Sequence, residues 1–420
     1  MSAFQAPKGT KDVLPPESAR FAAVVARFAR AASLAGYGLL VSPMFEDAQV
    51  FRRGAGEATD LVQKEMYEFT DKGGRLLALR PEGTASVVRA FVEHRPTLPW
   101  KVWYATPAFR YERPQAGRYR QHHQVGVEAI GSTDPDLDVE VIVLGHAFLA
   151  SLGLTGVELR VNSMGDDACL PAYRESLRDY LAGHESELCD EHVKRWAANP
   201  LRVLDCKDPA CVAVCAAAPA LGDALCAPCR EHFARVTEGL SAAEIPWKRD
   251  ERLVRGFDYY TRTTFEFASA RLDAAQDVVL GGGRYDKLVA ALGGADTPGI
   301  GFGCGIERVV LAGELDGALD GVGDHIDVFV VDVLDGSAAR DVSTRLRAAG
   351  IATDRAFDHR SMKAQLGLAD RSGARLAVIV GAAERAAGTV TLRVLRGAGS
   401  GEQESVATGD LEAAVRRWIS

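Results

Sequence analysis

Val102-Trp103-Tyr104-Ala105-Thr106-Pro107-Ala108-Phe109-Arg110-Tyr111-Glu112-Arg113, then Pro114-Gln115-Ala116-Gly117, then Arg118-Tyr119-Arg120-Gln121-His122-His123-Gln124-Val125-Gly126-Val127-Glu128 is the stretch whose reading decides the fold. Both long runs alternate apolar and polar residues, the pattern of strands, and the proline- and glycine-bearing loop between them turns the chain back, so they pair antiparallel. Arg110, Arg113, Arg118 and Arg120 converge in this one hairpin. Guanidinium forks match phosphate oxygens bidentately, so the cluster predicts an anion site. Gln124 and Glu128 lie four residues apart and therefore point to one side of their strand, where they can read a small polar substrate.

Upstream, Lys64 to Thr84 reads as strand, Gly73-Gly74 turn, strand, and a polar loop at Arg80-Pro81-Glu82-Gly83-Thr84. Glu82 between proline and glycine is either a carboxylate held toward a cationic ligand group or a cap for the helical run Ala85 to Phe91. Before it, Pro7 to Pro16 is rich in turn formers and precedes a helix with Phe21, Val24, Val25 and Phe28 on one face and Ser18 as candidate cap. Leu39 to Asp47 then reads as an apolar strand interrupted by Pro43, which belongs at a strand end or sheet edge.

Downstream, Leu253-Val254-Arg255-Gly256-Phe257-Asp258-Tyr259-Tyr260 is a loop entering a strand at Thr261 to Phe267. It concentrates an arginine, an aspartate and two tyrosines where an entry loop can face a pocket. Leu280-Gly281-Gly282-Gly283-Arg284-Tyr285-Asp286 lacks the spacing of a phosphate loop or dinucleotide fingerprint. Thr297 to Leu311 is more specific: Gly299, Gly301, Gly303 and Gly305 leave a flat surface, and the strand runs into a helix whose early Arg308 points at whatever lies there. A purine ring with its phosphates fits such a surface.

Gly165 to Glu244 changes character to mostly helical and reads as an insertion. Six of the eight cysteines, Cys189, Cys206, Cys211, Cys215, Cys226 and Cys229, cluster within it. Cys206, Cys211, Cys226 and Cys229 offer thiolates for one tetrahedral zinc site, but the first pair is spaced more loosely than a metal knuckle and alanine-rich helices bury cysteines as small hydrophobes. No resident metal is assigned. After a break at Gly317 to Asp324, alternating strands and helices predict a separate α/β domain over residues 325–420. From His325 to Ser420 there are 13 Lys+Arg against 12 Asp+Glu, while the rest of the chain has 36 against 45. The acidic excess behind the net charge of −8 therefore lies elsewhere, which leaves this domain free to meet a polyanion. The overall charge argues against non-specific coating of nucleic acid. No run of about 18 apolar residues and no apolar leader is present, so a cytoplasmic protein without a membrane span is expected.

Together these stretches resemble the class II aminoacyl-tRNA synthetases and, within them, the histidyl-tRNA synthetases. The segment around Pro43 is similar to the first class II motif, Phe109 to Arg113 with its loop to the second, and Gly301 to Arg308 to the third. Arg255 to Tyr260 and Gly281 to Asp286 resemble the two histidine-specific motifs. The resemblance implies an α+β fold: a class II synthetase-like antiparallel sheet flanked by helices over residues 1–323, interrupted by a helical insertion at 165–244, with an anticodon-binding-like α/β domain at 325–420. It implies activation of histidine by ATP, with Mg2+ on the outer phosphates, and transfer to tRNA(His) by a homodimer. In those terms Arg255 and Arg110 are catalytic. Glu82, Thr84, Gln124, Glu128, Tyr260 and Tyr285 hold histidine; Arg110, Glu112, Arg118 and Arg308 hold ATP; Gln115 meets the acceptor end of tRNA. Phe257 stands where the family more usually has leucine, and His123 where it has a more apolar residue. The rival is the histidine-binding regulatory subunit of ATP phosphoribosyltransferase, a paralogue without aminoacylation activity. The intact Arg255 to Tyr260 string and the extra C-terminal domain argue against it.

Overall fold

The computed structural model describes residues 4–57, 59–273, 276–323, 326–358 and 360–419. The termini of the two expected domains, at 1, 325 and 420, and the end of the expected break at Asp324, lie outside the described residues. The chain divides into two compact units, Met1–Val322 and Gly323–Ser420.

In the first unit the strands are β1 (Gly38–Leu39), β2 (Phe45–Asp47), β3 (Tyr67–Thr70), β4 (Leu76–Leu79), β5 (Trp100–Phe109), β6 (Gln121–Ile130), β7 (Val157–Ser163), β8 (Trp247–Arg249), β9 (Thr261–Ser269), β10 (Val278–Arg284) and β11 (Gly299–Gly305). Its helices are α1 (Glu17–Leu34), α2 (Ala48–Ala55), α3 (Thr84–His94), α4 (Pro135–Ser151), α5 (Leu170–Ala182), α6 (Leu201–Leu204), α7 (Pro209–Cys215), α8 (Ala227–Ala242), α9 (Leu288–Ala291) and α10 (Ile306–Asp316). Eight strands form one sheet in the order β1-β5-β6-β11-β10-β9-β7-β8. The expected hairpin lies one strand in from an edge: β5 and β6 pair antiparallel from Trp100↔Ile130 to Phe109↔Gln121. The sheet is antiparallel except at its two edges, where β1 runs parallel to β5 and β8 to β7.

Leu39 to Asp47 is not one strand. Pro43 lies between β1, at the edge of the large sheet, and β2, which joins β3 and β4 in a separate three-stranded sheet. Proline cannot donate to a ladder, so the chain changes sheets there. Nor does Ser18 cap α1, which begins at Glu17 behind Pro16 with no side-chain cap.

Strand alternation sorts the two faces. Val125, Val127 and Ala129 of β6 point into a core closed by α1, α4, α8 and α10, where Phe28 meets the rings of Phe148 at 4.9 Å and Phe302 at 6.0 Å, both edge-on. Edge-to-face pairs add about 0.5–1.5 kcal/mol each beyond their burial. Gln124 and Glu128 point the other way, as period two requires, toward the face carrying α3, α9 and α5 to α7. The insertion does not pack as one body: Phe233, Val236 and Leu240 of its last helix, α8, belong to the main core, whereas α5 to α7 cover the opposite face.

The second unit has strands β12 (Val328–Asp332), β13 (Thr353–Arg355), β14 (Leu376–Val380), β15 (Thr389–Val394) and β16 (Gln403–Ala407), in the sheet order β13-β12-β14-β15-β16. Helices α11 (Ser337–Ala348), α12 (Met362–Arg371), α13 (Ala382–Ala387) and α14 (Leu411–Ile419) complete it. Val328 to Val331 are all buried because α11 and α14 cover one face and α12 the other, as parallel strands require. The edge strand β16, Gln403-Glu404-Ser405-Val406-Ala407, carries little apolar signal in the sequence.

Candidate active site

A cleft of about 510 Å³ opens on the face of the large sheet opposite the α1/α4 core. Arg110, Glu112, Arg118, Gln124, Arg255 and Arg308, distant in sequence, all line it. The hairpin loop is short enough to bring Arg118 back onto Glu112, with which it pairs, and Glu112 lies 3.9 Å from Arg110. Burial works against ionisation of Glu112, but Arg118 and Arg110 outweigh it and hold its pKa below the usual carboxylate range. Glu65, beside it, is pushed up by burial and by the Glu112 charge. Arg308, from the first turn of α10, donates to the Val278 carbonyl at 2.9 Å, and burial plus the Arg118 and Arg110 charges lower its pKa. Phosphates bound here would relieve the repulsion that Arg118 and Arg110 exert on Arg308.

Arg255 is held from two sides. It pairs with Glu266 of β9, and its guanidinium carbon lies 5.4 Å over the Tyr260 ring. Its Nε is buried without a hydrogen-bond partner. Burial opposes its charge, but Glu266 and the neighbouring tyrosines more than offset this and raise its pKa. Glu266 was absent from the sequence reading. The signal that could have found it was period two within β9, which sets a carboxylate on the cleft face.

The three consecutive glycines of β10 are explained by what each lies against. A Cβ on Gly281 would sit 2.7 Å from Arg255 Nη1; one on Gly282 would sit 2.2 Å from the Gly301 carbonyl; one on Gly283 would sit 2.9 Å from the Tyr260 ring. Neither reading of this run as a nucleotide loop applies: it is a central strand stripped of side chains. Gly281→Ala is therefore expected to push the Arg255 guanidinium from its place beside Glu266 and to lower activity far more than the thermal midpoint. Gly282→Ala, which meets backbone, is expected to lower the midpoint itself. Thermal unfolding beside activity for the pair checks the contrast.

Glu82, Thr84, Glu128, Tyr260 and Tyr285 form a buried polar group beneath the cleft. Thr84 Oγ1 donates to Glu128 Oε1 at 2.7 Å, and the Tyr285 hydroxyl donates to Glu128 Oε2 at 2.6 Å. Glu82 accepts the backbone N–H groups of Thr84 and Ala85, at 2.6 and 2.8 Å, so it does cap α3. That does not consume it: a carboxylate has about four acceptor positions, and two stay available. Among the described residues no hydrogen bond joins Tyr260 to Glu128. Tyr104, unremarked in the sequence, packs under both, and a Cβ on either Gly83 or Gly126 would meet its ring at 2.4 Å. Gln115 is exposed on the hairpin loop, in a bridge with Arg118 and away from the cleft lining. His123 offers Nδ1 and its N–H to Glu307, at 2.8 and 3.0 Å, and Glu307 itself lines the cleft.

Glu128 is fully buried, and desolvation pushes its pKa to about 8. An unfolded glutamate titrates near pKa 4.3, so the folded chain keeps a proton that the unfolded chain has lost, and stability falls as pH rises from about 4.3 to about 8. Glu128→Gln is expected to remove that slope of up to about one proton, giving a thermal midpoint that declines less from about pH 5 to about pH 8 than that of the parent chain.

The four thiols read as one candidate zinc site do not converge. Cys206 and Cys211 gather with Cys189 and His192, whereas Cys226 and Cys229 gather with Cys169 and Asp166.

With this geometry in view, comparison with known proteins is decisive. The family model described as "Histidyl-tRNA synthetase" matches residues 9–309. The chain belongs to the histidyl-tRNA synthetase family. An anticodon-binding domain model matches residues 327–418. A histidine–tRNA ligase of Mycobacterium marinum is 49% identical over 413 residues, covering 97% of each chain. The crystal structure of apo histidyl-tRNA synthetase from S. aureus covers 99% of this chain and 100% of its own at 32% identity and a TM-score of 0.80. An ATP phosphoribosyltransferase regulatory subunit/histidyl-tRNA synthetase from Bacillus halodurans covers 91% of this chain and 100% of its own, at 21% identity and a TM-score of 0.65, and shares the fold alone. The α+β class II assignment holds, and among the described residues no helix is long and apolar enough to cross a membrane.

Proposed function

We infer that the chain activates histidine with ATP, releasing pyrophosphate, and transfers the histidyl group to the 3′-terminal adenosine of tRNA(His). The observation that carries the reading is the near-full-length match, at 49% identity, to proteins named histidine–tRNA ligase. The buried polar group beneath an arginine-lined cleft is what such a reaction needs. Its amino-acid end would seat the α-ammonium on the free acceptor positions of Glu82 with Thr84 and Gln124, and the imidazole against Glu128, Tyr260 and Tyr285. One ring nitrogen donates and the other accepts, so a carboxylate and a hydroxyl suit them, and analogues lacking either leave buried groups unpaired.

ATP would lie on the glycine surface of β11 and β10, its α-phosphate between Arg110 and Arg255 and its outer phosphates toward Arg118 and Arg308. Glu65 and Glu112 suit Mg2+, which takes oxygen ligands and retains water beside phosphates, and which when bound neutralises charge on the departing pyrophosphate. The substrate carboxylate attacks the α-phosphorus in line with the leaving pyrophosphate. Positioning and charge neutralisation supply the acceleration, and no protein nucleophile is needed. Gln115, exposed beside Arg113 and Arg118, would meet the acceptor end of tRNA, and residues 327–418 its anticodon. A homodimer through the first-motif segment is supported by exposed Leu39, Val41, Met44 and Phe45. Monomers on size-exclusion chromatography with light scattering would overturn that part.

Histidine-dependent exchange of labelled pyrophosphate into ATP, followed by charging of tRNA(His), tests the reading. Clean histidine binding without exchange would favour the regulatory paralogue instead.

A further inference from the structure

We propose that the insertion carries two structural zinc centres, one held by Cys189, His192, Cys206 and Cys211, the other by Asp166, Cys169, Cys226 and Cys229. Within each set the four ligand atoms lie within 4.8 Å of one another. In the first, Cys189 Sγ is 3.9 Å from Cys206 Sγ and 3.1 Å from His192 Nδ1. Zinc–sulfur bonds of about 2.3 Å place two sulfurs of a tetrahedron about 3.8 Å apart, so the spacing is that of an edge. It is far longer than a disulfide's ~2.05 Å. The backbone N–H of Cys189 points at Cys211 Sγ and that of Asp208 at Cys206 Sγ, both at 3.4 Å. A metal-bound thiolate accepts such N–H groups, so the backbone around this set suits bound sulfurs.

The alternative of cysteines packed as small hydrophobes fits Cys215 and Cys304, which are buried apart from either set. It does not fit Cys189 and Cys206, which are only half-buried and converge with a histidine. The ligands come from three separate pieces: the turn at 189–192, the end of α6, and α7. Cys211 belongs to the core that α5 to α7 share with α3 and α9, Cys189 and Cys206 pack at its margin, and zinc would tie the three pieces to one another.

The second set stands on its own observations. Cys169 Sγ lies 3.9 Å from Cys229 Sγ, while Asp166 Oδ1 lies 3.8 Å from Cys169 Sγ and 3.7 Å from Cys226 Sγ. Asp166-x-x-Cys169 and Cys226-x-x-Cys229 both have knuckle spacing, and Cys169 and Cys226 occupy the N-caps of α5 and α8. This centre would tie the first residues of the insertion to its last helix.

The first centre has a consequence for the active site. Asp205 and Lys207, on either side of Cys206, line the cleft. Arg252 donates to the carbonyls of Leu204 and Cys206 at 3.3 and 3.5 Å, and Arg202 donates to the Gly256 carbonyl. Zinc would thus fix the strip 202–207 against the loop that carries Arg255.

The test uses the full-length untagged chain, purified under reducing conditions, supplied with zinc, desalted and analysed for metal by mass spectrometry. Two zinc ions per chain are expected, falling to one in Cys206→Ser and to one in Cys229→Ser. Replacement by cobalt is expected to give thiolate-to-cobalt charge transfer and the visible bands of tetrahedral Co(II); this reads the parent chain and does not depend on either variant folding. A parent chain without zinc or tetrahedral cobalt bands overturns both centres. A count of one that Cys206→Ser abolishes overturns the second, and a count of one that Cys229→Ser abolishes overturns the first. A Cys189–Cys206 or Cys169–Cys229 disulfide in the freshly isolated protein overturns the centre concerned.

Discussion

Arg255→Ala is expected to slow histidyl-adenylate formation by about 10²–10³-fold while leaving histidine affinity within a few-fold, the range for losing one donor aimed at developing charge. The expectation follows from where the guanidinium sits. It faces the cleft beside Gly281 and meets the buried group only at the Tyr260 ring, so its loss leaves Glu82, Thr84 and Glu128 in place to seat histidine in the ground state. It also leaves Glu266 buried without its cation, and that carboxyl is already pushed up by burial. Arg255→Ala/Glu266→Gln separates the two effects: the double variant should recover thermal stability lost by the single one but not the rate. Arg255→Lys should keep charge yet lose the fork, and fall between the two. Single-turnover adenylate formation with equilibrium histidine binding reads the split; equal losses in rate and affinity would sink the assignment.

What could be read from the sequence divides by the range of the interaction. The β5–β6 hairpin, the turn at Gly73-Gly74, the α/β alternation of the second unit and the sidedness of Gln124 and Glu128 all follow from local periodicity, and the structure has each of them. The family resemblance was legible too, because its motifs are contiguous strings. Pairings between distant segments were not. Nothing local joins Glu266 to Arg255, Tyr104 to two separate glycines, or Asp166 to Cys229. The glycine run at 281–283 was legible as unusual but not as to cause, since the atoms it makes way for come from β9, β11 and the 253–260 loop. Glu82 shows that the two alternatives do not exclude each other: one carboxylate caps α3 and still has acceptor positions left over.

Arg284→Met is expected to cost about 3–5 kcal/mol of stability, the usual effect of breaking a buried ion pair by removing one partner. Arg284 and Asp138 are both fully buried and paired, Arg284 Nη1 also donates to the Ser132 carbonyl at 2.9 Å, and His232 Nε2 reaches Asp138 at 3.2 Å. The three side chains come from β10, α4 and α8, so the pair fastens the central sheet to one main-core helix and to the last helix of the insertion. Deleting the arginine leaves the fully buried Asp138 with, among the described residues, the His232 contact alone. Burial would raise its pKa, but His232 and Arg284 outweigh that and hold the carboxyl below its ordinary value. A depressed carboxylate stabilises the fold above its unfolded pKa of about 3.9 and loses that contribution as pH falls through the folded value. In the variant the carboxyl should rise instead, so the ordering of pH effects reverses: Arg284→Met should be least impaired in mild acid, where Asp138 can protonate, and most impaired near neutrality. Arg284→Met/Asp138→Leu, which removes both charges, should regain much of the loss, because two buried charges replaced by apolar groups of similar volume come close to neutral. Urea unfolding of the parent, single and double variants at two pH values measures the coupling. A double variant no more stable than the single one would show that the hydrogen bonds to the 132–138 turn, rather than the charge pair, hold these elements together.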